Sequence, residues 1–242
     1  MTLPFVVWED IYEKKWRVKN YLLQTKVVLT TTMLLIVLGA ALFYIAEGGY
    51  SLVGMSQHEK VFASFFQSIT ARTAGFNTVD VTQFSYATRL LMMILMFVGG
   101  SPGSTAGGIK TTTLAVLMVF VYATIKNKNE CQVFNRRFDN SIIKKAFSVF
   151  FINILLIIAG SFTILFIQPE LVFHDVLFEV FSALGTVGIS TGITRELISI
   201  SKIVIILLMY SGRVGSLTFA LSLTRKKKIS NCINPAEKVA IG

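Results

Sequence analysis

The chain has 242 residues, 53% of them hydrophobic and 15% charged, with long uncharged runs that a soluble domain does not need, so composition points to an integral membrane protein. The net charge of +10 does not imply a nucleic-acid partner, because the basic residues cluster beside the apolar runs, where the positive-inside rule puts them.

The first 19 residues are too polar and too poor in small residues for a cleavable signal peptide, so the membrane helices are expected to direct insertion. Residues 1–26 read as a cytoplasmic segment. Residues 27–46 carry no charge and are long enough to cross a bilayer. Residues 52–70 are mixed, and their most apolar part, 61–69, is too short to span, which predicts a re-entrant half-helix. It leads into ARTAGFNT at 71–78.

Residues 90–125 follow, with Lys110 their only charge. As one straight helix they would reach roughly 54 Å at 1.5 Å per residue, against a hydrocarbon core of about 30 Å. The middle, Gly99, Gly100, Ser101, Pro102, Gly103, Ser104, Thr105, Ala106, Gly107 and Gly108, holds five glycines and one proline. These residue types leave helical geometry readily or cannot sustain its hydrogen bonds. Two helical pieces joined by an irregular loop are predicted. Such backbone at membrane depth must be buried in protein or line a watery cavity, so the break points to an ion or substrate pathway.

A polar connection at 126–145 comes next, then an uncharged span at 146–167, a half-helix at 171–184 ending in GTVGIST at 185–191, and a last span at 203–223 interrupted at 211–215. The tail from 225 starts RKKK. Basic residues flank 27–46 on its N-terminal side, fill 126–145 and open the tail, whereas the other connections lean acidic around Glu47, Glu59, Glu170 and Asp175. Both termini and the central connection are therefore predicted to be cytoplasmic. Cys131 and Cys232 fall in those reducing-side segments, so neither a disulfide nor a metal site is indicated.

A shift of 113 residues superposes Thr73 on Thr186, Gly75 on Gly188, Thr78 on Thr191, Met96 on Met209 and Gly99 on Gly212. The unit is helix, half-helix, loop, helix, occurring twice, at 27–125 and 146–224, and such a repeat changes the reading of the whole chain. The predicted fold class is thus an all-α membrane protein with two helix, pore-loop, helix repeats, the second helix of the first repeat broken by the Gly-rich loop.

Thr73, Ala74, Gly75, Phe76 and Asn77, and again Thr186, Val187, Gly188, Ile189 and Ser190, each follow a half-helix. A cation leaving water needs replacement oxygens, which inward-turned backbone carbonyls supply. A central glycine leaves no side chain in the way, and a half-helix C-terminus adds a favourable dipole end. The expected cation ligands are the carbonyls of Thr73, Ala74, Gly75, Thr186, Val187 and Gly188. The plainer alternative is that small residues let helices pack closely.

Residues 99–108 have three readings. GSTAGGIKT resembles a phosphate-binding loop, but Ile109 separates Gly108 from Lys110 and no strand precedes it. A simple hinge is the second reading. A mobile constriction beneath the filter, a gate, fits the small polar composition better. Arg72, Lys110 and Arg213 are charges in apolar surroundings, which default to functional hypotheses. Arg72 either serves the filter or snorkels outward. Lys110 either caps carbonyls of the loop or reaches cytoplasmic water. Arg213 is expected to hydrogen-bond loop carbonyls and raise a cation barrier. Glu179 either attracts cations or makes orienting hydrogen bonds, and the lone His58 and His174 read as incidental. No catalytic constellation lies within the apolar segments, so an enzyme is not expected.

RTAGFNT, GGSPGSTAGGIKTTT, SALGTVGISTG and GRVG resemble the Ktr/Trk/HKT potassium transporter family, closest to the bacterial Ktr membrane subunit, over nearly the whole chain. Members have four such repeats around one pore. The resemblance makes 73–77 and 186–190 the third and fourth filter segments, 99–108 the intramembrane gate loop and Arg213 its contacting arginine. It implies potassium uptake, often sodium-dependent, at the cell membrane, with potassium as substrate, sodium as an activator and no cofactor in this chain. Implied partners are membrane lipid, a membrane-subunit dimer and cytosolic nucleotide-binding regulatory subunits. Only two repeats are present, so a missing N-terminal half or a second copy must complete the pore. A simple cation channel and a non-conducting or regulatory half-transporter are the alternatives.

Overall fold

The computed structural model describes residues 4–15, 17–128 and 130–222. The tail, with Arg225, Lys226, Lys227, Lys228 and Cys232, lies outside them. An N-terminal helix α1 (Phe5–Lys14) precedes α2 (Leu23–Glu47), followed by α3 (Gln57–Thr70), α4 (Tyr86–Phe97) and α5 (Thr111–Ile125). A short hairpin, β1 (Gln132–Val133) and β2 (Arg136–Arg137), joins these to α6 (Asn140–Ile167), α7 (Phe173–Gly185), α8 (Ser199–Val214) and α9 (Ser216–Ser222).

Among the described residues, α2 and α6 are long and apolar enough to cross a membrane. Each leaves an outward apolar stripe uncovered: Met33, Leu34, Val37, Leu38 and Ile45 on α2, and Phe151, Leu155, Ile158, Phe162 and Phe166 on α6. Contiguous exposed apolar surface of this kind requires an apolar solvent or a partner.

The first half-helix starts on a local signal. Ser56 and Glu59 form a reciprocal capping box on α3, which satisfies two amides that would otherwise be orphaned. Two departures from the sequence expectation concern the ends of elements. The connection at 126–145 carries the β1–β2 hairpin, so the chain is not wholly α-helical; Phe134 and Asn135 at its turn have positive φ, as a two-residue hairpin whose twist matches its strands demands. In the last span the helix runs unbroken through Ser211, Gly212, Arg213 and Val214 and breaks at Gly215, where φ is 98°. Gly212 stays helical and serves close packing instead: a side chain there would overlap the Leu184 carbonyl.

Two apolar cores share α7. Phe43, Met92, Met96, Phe178 and Ile189 form one; Ile157, Ile164, Val176, Leu184 and Leu208 form the other. Arg89 on α4 pairs with Asp175 on α7 at 2.8 Å, tying the two halves together. At the end of α2, the fully buried Glu47 accepts from the Ser51 amide at 3.1 Å, the Ser85 amide at 3.0 Å and the Ser85 hydroxyl at 2.9 Å. The carboxylate therefore fixes the start of α4 against the end of α2. Glu47→Ala strands these donors and is expected to destabilise the chain by about 3 kcal/mol, seen as a lowered melting midpoint of the detergent-solubilised protein; an unchanged midpoint would contradict this account of Glu47.

Candidate functional site

Where α3 ends, backbone hydrogen bonding turns the chain into an extended segment. The amides of Ala74 and Gly75 both donate to the Thr70 carbonyl, at 3.1 and 3.2 Å. The Thr70 hydroxyl accepts from the Phe76 amide at 2.8 Å and donates to the Phe76 carbonyl at 2.6 Å. Thr70 thus straps residues 71–76 into a tight curve, with Thr73 and Gly75 at positive φ, 72° and 77°.

The second segment is held in a related way. Thr186 ends α7 in the left-handed conformation, a common helix terminus. The Val187 amide donates to the Ser182 carbonyl at 2.9 Å and the Gly188 amide to the Ser182 hydroxyl at 3.2 Å. The Ser190 hydroxyl donates to the Glu179 carboxylate and accepts from the Gly192 amide at 2.8 Å. Of the two readings of Glu179, the observed contact is an orienting hydrogen bond. Neither Thr70 nor Ser182 is singled out by the sequence; the hydroxyl six residues ahead of the amide it binds is the signal that was there to find.

The two segments meet. A side chain at Gly75 would overlap the Val187 carbonyl oxygen, whereas nothing among the described residues lies within 4 Å of the same position on Gly188. Ala74, Phe76, Asn77 and Gly188 are exposed, Thr73, Gly75, Thr186 and Ser190 partly so, and Val187 and Ile189 are buried.

Between α4 and α5, residues 98–110 form the irregular loop. Its ends are pinned together: the Ile109 amide donates to the Phe97 carbonyl at 3.0 Å and the Thr111 amide to the Gly100 carbonyl at 3.2 Å. Gly99, Gly100 and Ser101 are buried. The loop's far end docks on the second segment, with the Gly107 amide donating to the Thr186 hydroxyl at 2.9 Å and the Gly108 amide to the Leu184 carbonyl at 3.2 Å. A side chain at Gly107 would come within 2.7 Å of the Thr186 hydroxyl and 2.8 Å of the Gly185 carbonyl, so only glycine permits this approach. Pro102, Gly103 and Ser104 lie on the other side of the loop, where Gly103 faces Pro4 ahead of α1.

All three flagged cations meet this loop. Arg213 donates to the Thr105 carbonyl, and Lys110 donates to the Ala106 carbonyl and, at 3.5 Å, to that of Ser104. Arg72 is buried and donates to the Gly99 carbonyl at 3.2 Å. It therefore does not snorkel outward: the side chain is buried and bound to the loop. Its Nε and Nη1 have no hydrogen-bond partner among the described residues.

Taken together, the geometry is two glycine-centred extended segments in contact, with a Gly-rich loop seated against the second and three cations holding loop carbonyls. The chain matches the family described as cation transport protein (TrkH) over residues 12–231. It is 40% identical to the potassium/sodium uptake protein NtpJ of Enterococcus hirae over 246 residues, covering 99% of this chain and 54% of that protein. It is 37% identical to the Ktr system potassium uptake protein B of Bacillus subtilis, covering 99% of this chain and 54% of that protein. Its fold is similar to the crystal structure of the potassium transporter TrkH from Vibrio parahaemolyticus, with a TM-score of 0.71 at 17% identity over 92% of this chain and 49% of that one. The chain thus spans about half the length of the curated relatives it matches. On the match along nearly all of its length, this chain belongs to the TrkH family of cation transport proteins.

Proposed function

We propose that this chain forms half of a potassium uptake pathway, with residues 73–77 and 186–190 as two of its filter segments and residues 99–108, Lys110 and Arg213 as its gate. The observation that carries the reading is the contact between Gly75 and the Val187 carbonyl: two segments, each straight after a half-helix, are brought side by side. Backbone oxygens in such segments can replace the hydration shell of potassium, and Thr73, Ala74, Gly75, Thr186, Val187 and Gly188 are the positions assigned to the ion. The names of the relatives as potassium uptake proteins support the choice of ion.

The order long helix, half-helix, extended segment, interrupted helix runs from α2 to α5 and again from α6 to α9, which supports the repeat. Two segments leave an ion half surrounded, and the open space beside Gly188 supports a further segment there. The missing oxygens come from two more segments, on a companion chain or on a second copy. The basic residues at Lys126, Lys128, Arg136 and Arg137 support a cytoplasmic central connection, with both termini on the same side. Further partners, a membrane-subunit dimer and cytosolic nucleotide-binding subunits, fit relatives named as components of a Ktr system. Sodium acts in this reading as an activator, in keeping with a relative named for both ions.

In the gate, Arg213 and Lys110 place positive charge on adjacent loop carbonyls. Fixed cations next to the path oppose a passing cation, and the seated loop obstructs it sterically.

Rubidium uptake in potassium-transport-deficient cells, with a chain supplying two further segments, tests both parts. Gly75→Asp with Gly188→Asp is expected to reduce uptake to background at unchanged membrane expression; wild-type-like uptake would mean that the chain does not conduct. Arg213→Gln, which releases the Thr105 carbonyl and removes a charge, is expected to raise uptake severalfold, and lowered or unaltered uptake would refute a barrier at this residue.

A further inference from the structure

A cavity of about 530 Å³ lies between the first turns of α2, α5 and α6, within the range of about 300–1,000 Å³ typical of ligand pockets. Its walls are apolar: Leu23 and Val27 from α2, Val116 from α5, Ala146 and Val149 from α6. Two cations join the lining, Lys145 near the start of α6 and Arg137 from β2, and Pro102 of the Gly-rich loop forms another part of it. Among the described residues no acidic side chain lines it.

Apolar walls with cations on the β2 and α6 side fit a molecule with an apolar tail and an anionic head. We infer that this cavity holds an acyl chain of an anionic phospholipid whose phosphate is held by Arg137 and Lys145. The inference rests on the reading of these helix ends as the cytoplasmic boundary of the membrane.

The guanidinium is the group suited to grip phosphate oxygens through paired N–H donors. Its ion pair with Glu130 is a single contact at 3.4 Å between largely exposed groups, which leaves the other guanidinium donors for a ligand and contributes little of its own. Lys145 is exposed and can lay its methylenes along the apolar wall while its ammonium reaches the head group. Basic pockets between membrane helices on the cytoplasmic side recognise anionic lipid heads in this manner. A zwitterionic lipid would bring its own cation towards Lys145 and Arg137 and lose the advantage. With Pro102 in the lining, an acyl chain in the cavity would touch the Gly-rich loop on the side away from Thr186, so occupancy would bear on the gate.

The test is native mass spectrometry of the full detergent-solubilised chain titrated with dioleoyl phosphatidylglycerol or dioleoyl phosphatidylcholine. One phosphatidylglycerol is expected to be retained in preference, by about 30-fold, from about fivefold for each cation near an anionic surface. Arg137→Gln with Lys145→Gln, both at exposed positions, should bring the preference close to one. Val149→Trp, which fills the cavity and keeps both charges, should abolish retention; circular dichroism checks that each variant is folded. Equal retention of the two lipids, a preference that survives the double substitution, or displacement of the lipid by inorganic phosphate would overturn the inference. The readout is binding, so a chain that fails to transport but retains the lipid would sink the proposed function and leave this site standing.

Discussion

The structure depends on the need to satisfy backbone polar groups where lipid cannot. A 13-residue irregular loop, residues 98–110, separates α4 from α5, and at membrane depth each unpaired amide or carbonyl there would cost several kcal/mol. The hydrogen bonds come from three sources. The loop closes on itself through Ile109 and Thr111; it borrows Leu184 and Thr186 from the end of α7; and it takes cationic donors from Arg72, Lys110 and Arg213. The charges that composition marks as costly in a membrane are the groups that make the irregular loop tolerable.

The same arrangement joins the irregular loop to both glycine-centred segments. Thr186 terminates α7, opens the second extended segment and accepts from Gly107 through its hydroxyl. A displacement of the loop must therefore disturb the residue at which that segment begins. Arg72, which immediately precedes Thr73, holds the Gly99 carbonyl, so the first segment is linked to the loop as well. A loop bonded to both segments has a direct physical route by which its position alters their spacing.

Much of this arrangement was legible in the sequence, and the reasons are specific. The helix break at 98–110 followed from length against bilayer thickness together with five glycines. The constant offset of 113 residues paired Gly99 with Gly212, and both turn out to be places where a side chain would overlap a backbone carbonyl, of Gly107 and Leu184 respectively. What stayed hidden depended on contacts between residues far apart in sequence or on single hydroxyls. Glu47 read only as an acidic residue of a connection, yet it is wholly buried and binds the start of α4, 38 residues away. Arg72 had two readings that differed only in which carbonyl or water lay within reach. Thr70 and Ser182 carry no signal in composition or periodicity, because what they contribute beyond a backbone carbonyl is one hydroxyl in the right rotamer. The break expected at 211–215 moved to Gly215 alone because Gly212 serves close packing inside a continuous helix.

In the proposed assembly the two glycine-centred segments line one cation path. The most direct test is anomalous diffraction from crystals of the flux-competent assembly grown with thallium in place of potassium. Thallium is expected at coordination distance from backbone carbonyls of both 73–75 and 186–188. Thallium bound elsewhere, with no density between these segments in an assembly that still transports, would contradict it.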